Sequence, residues 1–119
     1  MSDDKPTLFH PGVGRKGMNE LHYAAYCGDM TGLMHYLDVG FDPNVKDQYR
    51  GYTAMHWLAD MAATGGPRVQ MLRLLTARGA DINARSNDGE TVLALARASG
   101  SALGEALEAE LFKLGADGN

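Results

Sequence analysis

The sequence predicts an all-α solenoid in which antiparallel helix pairs stack on one another and are joined by β-hairpin-like loops. Three observations carry this. The stretch Gly51-Tyr52-Thr53-Ala54-Met55-His56-Trp57-Leu58-Ala59 has one imperfect copy upstream, Gly17-Met18-Asn19-Glu20-Leu21-His22-Tyr23-Ala24-Ala25. Another lies downstream, Gly89-Glu90-Thr91-Val92-Leu93-Ala94-Leu95-Ala96-Arg97. The copies are in phase, with Leu21, Met55 and Leu93 spaced by 34 and 38 residues. A second phrase closes each unit: Val39-Gly40-Phe41-Asp42-Pro43-Asn44, Arg78-Gly79-Ala80-Asp81-Ile82-Asn83 and Leu114-Gly115-Ala116-Asp117. Two phrases recurring in one order at a period in the thirties mark a helical repeat array, and about three such units are needed before stacking buries a stable core.

The two phrases together resemble the ankyrin repeat, whose unit reads approximately D-x-x-G-x-T-P-L-H-x-A-A-x-x-G, then an apolar helix, then G-A-D-x-N. The resemblance covers about residues 14–117. It divides the chain into a flexible lead at 1–16 and one repeat domain at 17–118, with repeats at approximately 17–46, 47–85 and 86–118. It implies a non-enzymatic module that binds another protein, whether as adaptor, inhibitor, toxin-neutralising protein or effector. Because a fold hosts many functions, two rivals are carried beside it. One is an enzyme with an unfamiliar site around His56, Asp60 and Cys27; the other is a regulatory segment of a larger assembly.

Taken in order, the lead holds Pro6, Pro11, Gly12, Gly14 and Gly17 with little periodicity and reads as flexible chain ending in a turn. Phe9 and His10 stand out there as a possible cover for the open face of the first unit. Asn19 occupies the motif's threonine position and is as good a helix cap, so a helix is expected from Glu20 to about Cys27, stopped by Gly28. Leu33, Met34 and Leu37 mark the apolar side of an antiparallel second helix ending at Gly40. Asp42-Pro43-Asn44 and the turn residues 47–51 then supply a projecting finger, one residue longer than the matching 86–89 and exposing Tyr49 and Arg50.

Unit two enters its inner helix at Thr53 and leaves its outer helix at Gly79, with Met71, Leu72, Leu74 and Leu75 as the apolar set. The intervening turn at 62–67 is longer by about five residues than its counterpart in unit one, which accounts for the longer second period, since loops absorb insertions cheaply. Leu58 exceeds the small residue usual at its position, so local repacking between inner helices is expected. Unit three runs from Thr91 to about Ser99 and Gly100, and Leu103, Leu107, Leu111 and Leu114 stripe its outer helix. Arg97, Glu105, Glu108 and Glu110 suit a terminal unit whose outer face meets water.

Composition bounds the function. The 119 residues make one domain with net charge −4, charges of both signs being scattered throughout. No basic stripe points to nucleic acid and no apolar run approaches the length of a membrane span. The single cysteine, Cys27, has no internal partner and the first residues carry no signal-peptide pattern, so a cytoplasmic setting is expected.

His22 and His56 are the first residues that look catalytic or metal-binding. The resemblance implies instead that each ties a loop to its helix. His56 and Asp60 stand one helical turn apart, but two ligands do not make a metal site. Cys27 lacks a legible oxyanion element or third orienting residue, and Gly12-x-Gly14 lacks the rest of a phosphate loop. Trp57, Tyr23 and Leu95 share one position in the unit and read as packing between inner helices, while Met18 and Met61 are the methionines expected at the surface. No catalytic, cofactor-binding or metal-binding residue is therefore assigned, and no small-molecule substrate is expected.

The positions the stack does not need are those around each hairpin glycine and those after the inner-helix alanines. In this chain they are Arg15, Lys16 and Met18; Tyr26 and Cys27; Gln48, Tyr49, Arg50 and Tyr52; Asp60 and Met61; and Asn87, Asp88, Glu90, Ala98 and Ser99. They are expected to line one concave face that binds a partner protein. The central finger concentrates Tyr and Arg, the residue types that most often dominate interface energy. Charge along the face runs from basic at Arg15 and Lys16 to acidic at Asp88 and Glu90, so the partner should show the opposite gradient.

Overall fold

Three short polar residues start the inner helices, and the computed structural model, which describes residues 17–60 and 67–116, shows how each works. Asn19 precedes α1 (Glu20–Cys27); its side chain accepts the His22 N–H at 2.9 Å, while the His22 ring accepts the Asn19 N–H at 3.0 Å. This is a capping box in which histidine does what glutamate usually does. Before α3 (Ala54–Asp60), the Thr53 N–H likewise donates to Nδ1 of His56 at 3.0 Å. Thr91 caps α5 (Val92–Ala98) through the Ala94 N–H at 3.2 Å. Among the outer helices, Asp29 caps α2 (Met30–Asp38) and Ser101 caps α6 (Ala102–Lys113). Pro67, which precedes α4 (Arg68–Ala77), offers no side-chain cap.

Helices α1, α3 and α5 pack side by side as an inner layer, and α2, α4 and α6 lie behind them as an outer layer, each packed on the inner helix that precedes it. Leu21, Ala25, Leu33, Met55, Trp57, Leu58, Met71, Leu75, Leu93, Leu107 and Leu111 form one continuous buried core. Among the described residues there is no strand, only an isolated antiparallel bridge from Arg85 to Thr91 at the base of the last finger. The expectations for the lead at 1–16, with Phe9 and His10, for Met61 and for nearly all of the enlarged turn at 62–67 fall outside the described residues.

Three expectations about burial are corrected. Met34 is 43% exposed, because Leu33 and Leu37, one turn apart, set the inward direction and leave Met34 beside it. Leu74 is only half-buried, the inward face of α4 being Met71, Leu72 and Leu75. Met18 is 2% exposed rather than at the surface: directly before the cap of α1, it folds onto the core, as apolar residues in that position commonly do.

Buried polar groups hold the units to one another. Nε2 of His22 bonds the Val45 carbonyl at 2.8 Å and Nε2 of His56 bonds the Glu90 carbonyl at 2.9 Å, each reaching into the finger that follows its own unit. In both rings Nδ1 accepts a backbone N–H, so the proton sits on Nε2 and the neutral tautomer is fixed. Asn44 links the closing phrases of successive units, donating to the Gly79 carbonyl and accepting the Asp81 N–H. Arg68, 1% exposed, gives Nη1 to the carbonyls of Ala25 and Leu58 at 3.0 and 2.9 Å and Nη2 to that of Tyr26 at 3.1 Å. Those carbonyls belong to the last turns of α1 and α3, where unpaired acceptors and the negative ends of two helix dipoles both favour a cation.

Glycine is required where fingers meet. Gly17 and Gly51 have φ of 70° and 73°, and a Cβ on them would strike Gln48 and Asn87, their neighbours in the next finger. That close approach lets the Asn87 N–H reach the Arg50 carbonyl at 2.8 Å.

Leu107→Ala, at a fully buried site, should lower stability by about 2–5 kcal/mol, whereas Leu74→Ala at its half-exposed site should cost clearly less. Urea midpoints of the two variants check this ordering. Burial holds the pKa of both His22 and His56 below the ordinary 6.5. The native state thus binds fewer protons than the unfolded chain, so this contribution is complete above the ordinary value and is lost progressively as pH falls below it and through the lowered native value. The urea midpoint should decline between about pH 7.5 and about pH 5.5, and His56→Ala, less stable at the upper pH, should decline less steeply.

Candidate functional site

The second finger is built on one carboxylate. Oδ1 of Asp47 accepts the backbone N–H groups of Tyr49, Arg50 and Gly51 at 3.0, 2.7 and 2.9 Å, and Oδ2 accepts the Trp57 indole N–H at 2.7 Å. The residue is 5% exposed. The extra residue of this finger therefore wraps an anion that accepts four N–H groups, three on Oδ1 and one on Oδ2. In the shorter third finger Ser86 does a lesser version, its hydroxyl accepting the N–H groups of Asp88 and Glu90.

Tyr49, at the tip, is 60% exposed. The Arg50 guanidinium lies 5.6, 5.3 and 5.8 Å from the ring centres of Tyr49, Tyr52 and Trp57, within cation–π range of all three. Its Nη1 donates to the Tyr52 hydroxyl at 3.4 Å and stands 3.9 Å from Asp60. The Tyr52 hydroxyl in turn donates to Oε1 of Glu90 at 3.2 Å. Burial raises the Tyr52 pKa, keeping the phenol protonated as that donor, and the hydrogen bond to Tyr52 raises the Arg50 pKa further, keeping it a cation. Behind them Tyr26 packs edge-on against Trp57 at 5.4 Å, and Tyr52 stacks on His56 at 5.1 Å.

An open groove of about 560 Å³ runs between the second and third fingers, lined by Tyr49, Arg50 and Tyr52 on one side and Asn87, Asp88 and Glu90 on the other. Six residues expected on a concave face thus meet at one place. Tyr52 contributes differently from the expectation: its ring is in the core at 2% exposure, and only its hydroxyl edge faces the groove. Met18, at the same position of its own unit, is buried and leaves the face. Gln48 is exposed against Gly17, Cys27 is exposed at the end of α1, and Asp60 and Tyr26 are half-buried beside Arg50 and Trp57. Ala98 is exposed, whereas Ser99 is taken up in the α5–α6 turn, its hydroxyl donating to the Ala96 carbonyl. Arg15, Lys16 and Met61 lie outside the described residues, so the basic end of the expected gradient does too.

Sequence reasoning passed over two residues on which this arrangement relies. Asp47 was legible only as a turn residue; the signal for more was an aspartate opening a loop with four backbone donors ahead of it. Arg68 carried a fainter one, an arginine directly after a proline at the start of a helix otherwise apolar inside.

His56 has no ring nitrogen left for catalysis or ligation, since Nδ1 receives the Thr53 N–H and Nε2 bonds the Glu90 carbonyl. Among the described residues no group of three or more His, Cys, Asp or Glu side chains is placed to hold a metal ion. No helix among them is long and apolar enough to cross a membrane.

Comparison with known proteins agrees with this architecture. A family model described as ankyrin repeats in three copies matches residues 21–117. The chain is also similar to an ankyrin repeat-containing protein of Schizosaccharomyces pombe, with 40% identity over 70 residues, covering 59% of this chain and 31% of that protein. The chain thus spans about a third of that relative's length. Repeats of this kind generally serve protein–protein interaction and are typically non-enzymatic. With three helix pairs among the described residues, histidine tethers from their inner helices and a family match over most of its length, this chain belongs to the ankyrin repeat family.

Proposed function

We propose that this protein is a non-enzymatic binding module that captures another protein in the groove between its second and third fingers. The observation that carries the reading is Arg50, a cation already held among three aromatic rings at the mouth of that groove beside the exposed Tyr49. Tyr and Arg side chains immobilised before binding lose little entropy on contact, which is where interface hot spots draw their strength. The His56 and Asn44 bonds serve the stack and keep the two walls of the groove in register.

Wild-type protein and the variants Tyr49→Ala and Arg50→Ala, used as baits in a pull-down from the native cell and followed by mass spectrometry, test the reading. Each alanine should weaken the specific partner by at least about 1–2 kcal/mol while melting stays close to wild type, since Tyr49 and the Arg50 guanidinium are not core groups. Wild-type affinity in both variants would move the site away from the fingers, to the enlarged turn at 62–67.

A further inference from the structure

Arg50 uses only part of its hydrogen-bonding capacity. Nη1 is occupied by the Tyr52 hydroxyl and by Asp60, but Nε and Nη2 make no hydrogen bond to any described residue. A guanidinium edge presenting two parallel donors matches a carboxylate. Across the groove Oε1 of Glu90 takes the Tyr52 hydroxyl and, at 3.5 Å, that of Ser86, while Oε2 has no partner among the described residues. The exposed Asp88 carboxylate stands on the same wall. Donor and acceptor walls are joined by one hydroxyl, so Nη1 of Arg50 and Oε1 of Glu90 are separated by no more than bonds of 3.4 and 3.2 Å laid end to end.

That juxtaposition selects among partners. A uniformly acidic segment meets repulsion from Asp60, Asp88 and Glu90, and a uniformly basic one places a like charge against Arg50. An apolar segment strips water from all four charged groups without replacing it. Side chains on one face of an extended chain stand about 7 Å apart at i and i+2, so two such side chains can address one wall each.

We propose, resting on the reading that this groove holds a partner protein, that it takes an extended segment of the form acid-x-base. The acidic side chain pairs with Nε and Nη2 of Arg50, the basic one with Asp88 and Oε2 of Glu90, and the residue between turns away. Local charge pairing, rather than the net charge of either protein, is what such a groove reads.

Selection of random peptides displayed on phage against the wild-type protein tests this directly. Enriched peptides should share an acidic and a basic residue separated by one position, in either chain direction. Synthetic copies, followed through the fluorescence of Trp57, the single tryptophan, 5.8 Å from Arg50, should bind Arg50→Ala at least about tenfold more weakly. Arg50→Lys, keeping charge without the fork, should fall between, and Asp88→Asn should weaken the peptide's basic contact alone. Replacing the peptide's acidic residue by its amide should cost wild type about as much as Arg50→Ala does and cost Arg50→Ala little more. Strictly additive losses overturn the contact, as do peptides lacking the pair or a selection that yields no binder. Peptides that depend on Tyr49 and Arg50 yet carry no charge pair overturn this proposal alone. Peptides indifferent to both residues overturn the groove itself.

Discussion

The Asp47 carboxylate is the interaction on which the binding face depends. It is buried, it accepts three consecutive backbone N–H groups of the finger, and its second oxygen holds the indole of Trp57 in the core of α3. Finger and helix are thereby fastened at a single point. A buried donor left without an acceptor costs about 1–3 kcal/mol, and two of the four donors that converge here, the Gly51 N–H and the Trp57 indole, are buried, so a conformation of the finger that releases Asp47 is penalised. The same bond sets the tilt of Trp57, against which Tyr26, Tyr52 and Arg50 are arranged. Bonds made inside the core in this way dictate where an exposed cation stands.

The remaining order comes from each unit reaching forward into the next. Histidine ring, asparagine amide and hairpin glycine reach toward the following unit: His22 through Nε2 to Val45 in the chain leading into it, His56 through Nε2 to Glu90 within it, Asn44 through both ends of its amide, Gly17 and Gly51 through their missing Cβ. The third unit shows what happens when nothing described follows. Its histidine position is Ala94, exposed to solvent, and a Cβ on Gly89 would meet nothing within 4 Å. Instead Arg97 pairs with Glu108 at 2.9 Å and lies over the Phe112 ring, screening the outer surface of α5 and α6. Between the outer helices Arg73 and Glu110 make a two-bond ion pair, and the pairing holds the Glu110 carboxyl below its ordinary pKa.

Signals local to the chain were the ones that could be read from sequence. Asn19, Thr91, Gly28 and the 34- and 38-residue periods mark helix starts, stops and stacking because caps and turns are chosen within a few residues of themselves. The two histidine tethers followed only from the family resemblance, since their acceptors lie 23 and 34 residues away. What the sequence hid was direction. Met34 and Leu74 are apolar and correctly spaced for a helix, yet a helix face is narrower than the run of apolar residues that suggests it. Met18 and Tyr52 occupy the position after the hairpin glycine, which looked free because no helix contains it. In space it is the lid over the inner layer, and both residues are 2% exposed. Arg68 was invisible for the opposite reason: the carbonyls of Ala25, Tyr26 and Leu58 that it bonds are backbone groups, which every sequence has.

Tyr52 shows why folding and recognition are not separable at this groove. Its ring is core, stacked on His56 and edge-on to Trp57, while its hydroxyl is the bridge between Arg50 and Glu90. The bridge sets the spacing of a positive and a negative group across two different fingers, a distance that neither finger alone determines. The backbone bond from Asn87 to Arg50 fixes the same two fingers a second time. Any change in how units two and three stack therefore changes the charge spacing offered to a partner. Conversely, a partner bridging Arg50 and Glu90 binds only the stacked state and so stabilises that stack by an amount that grows with its concentration relative to its Kd.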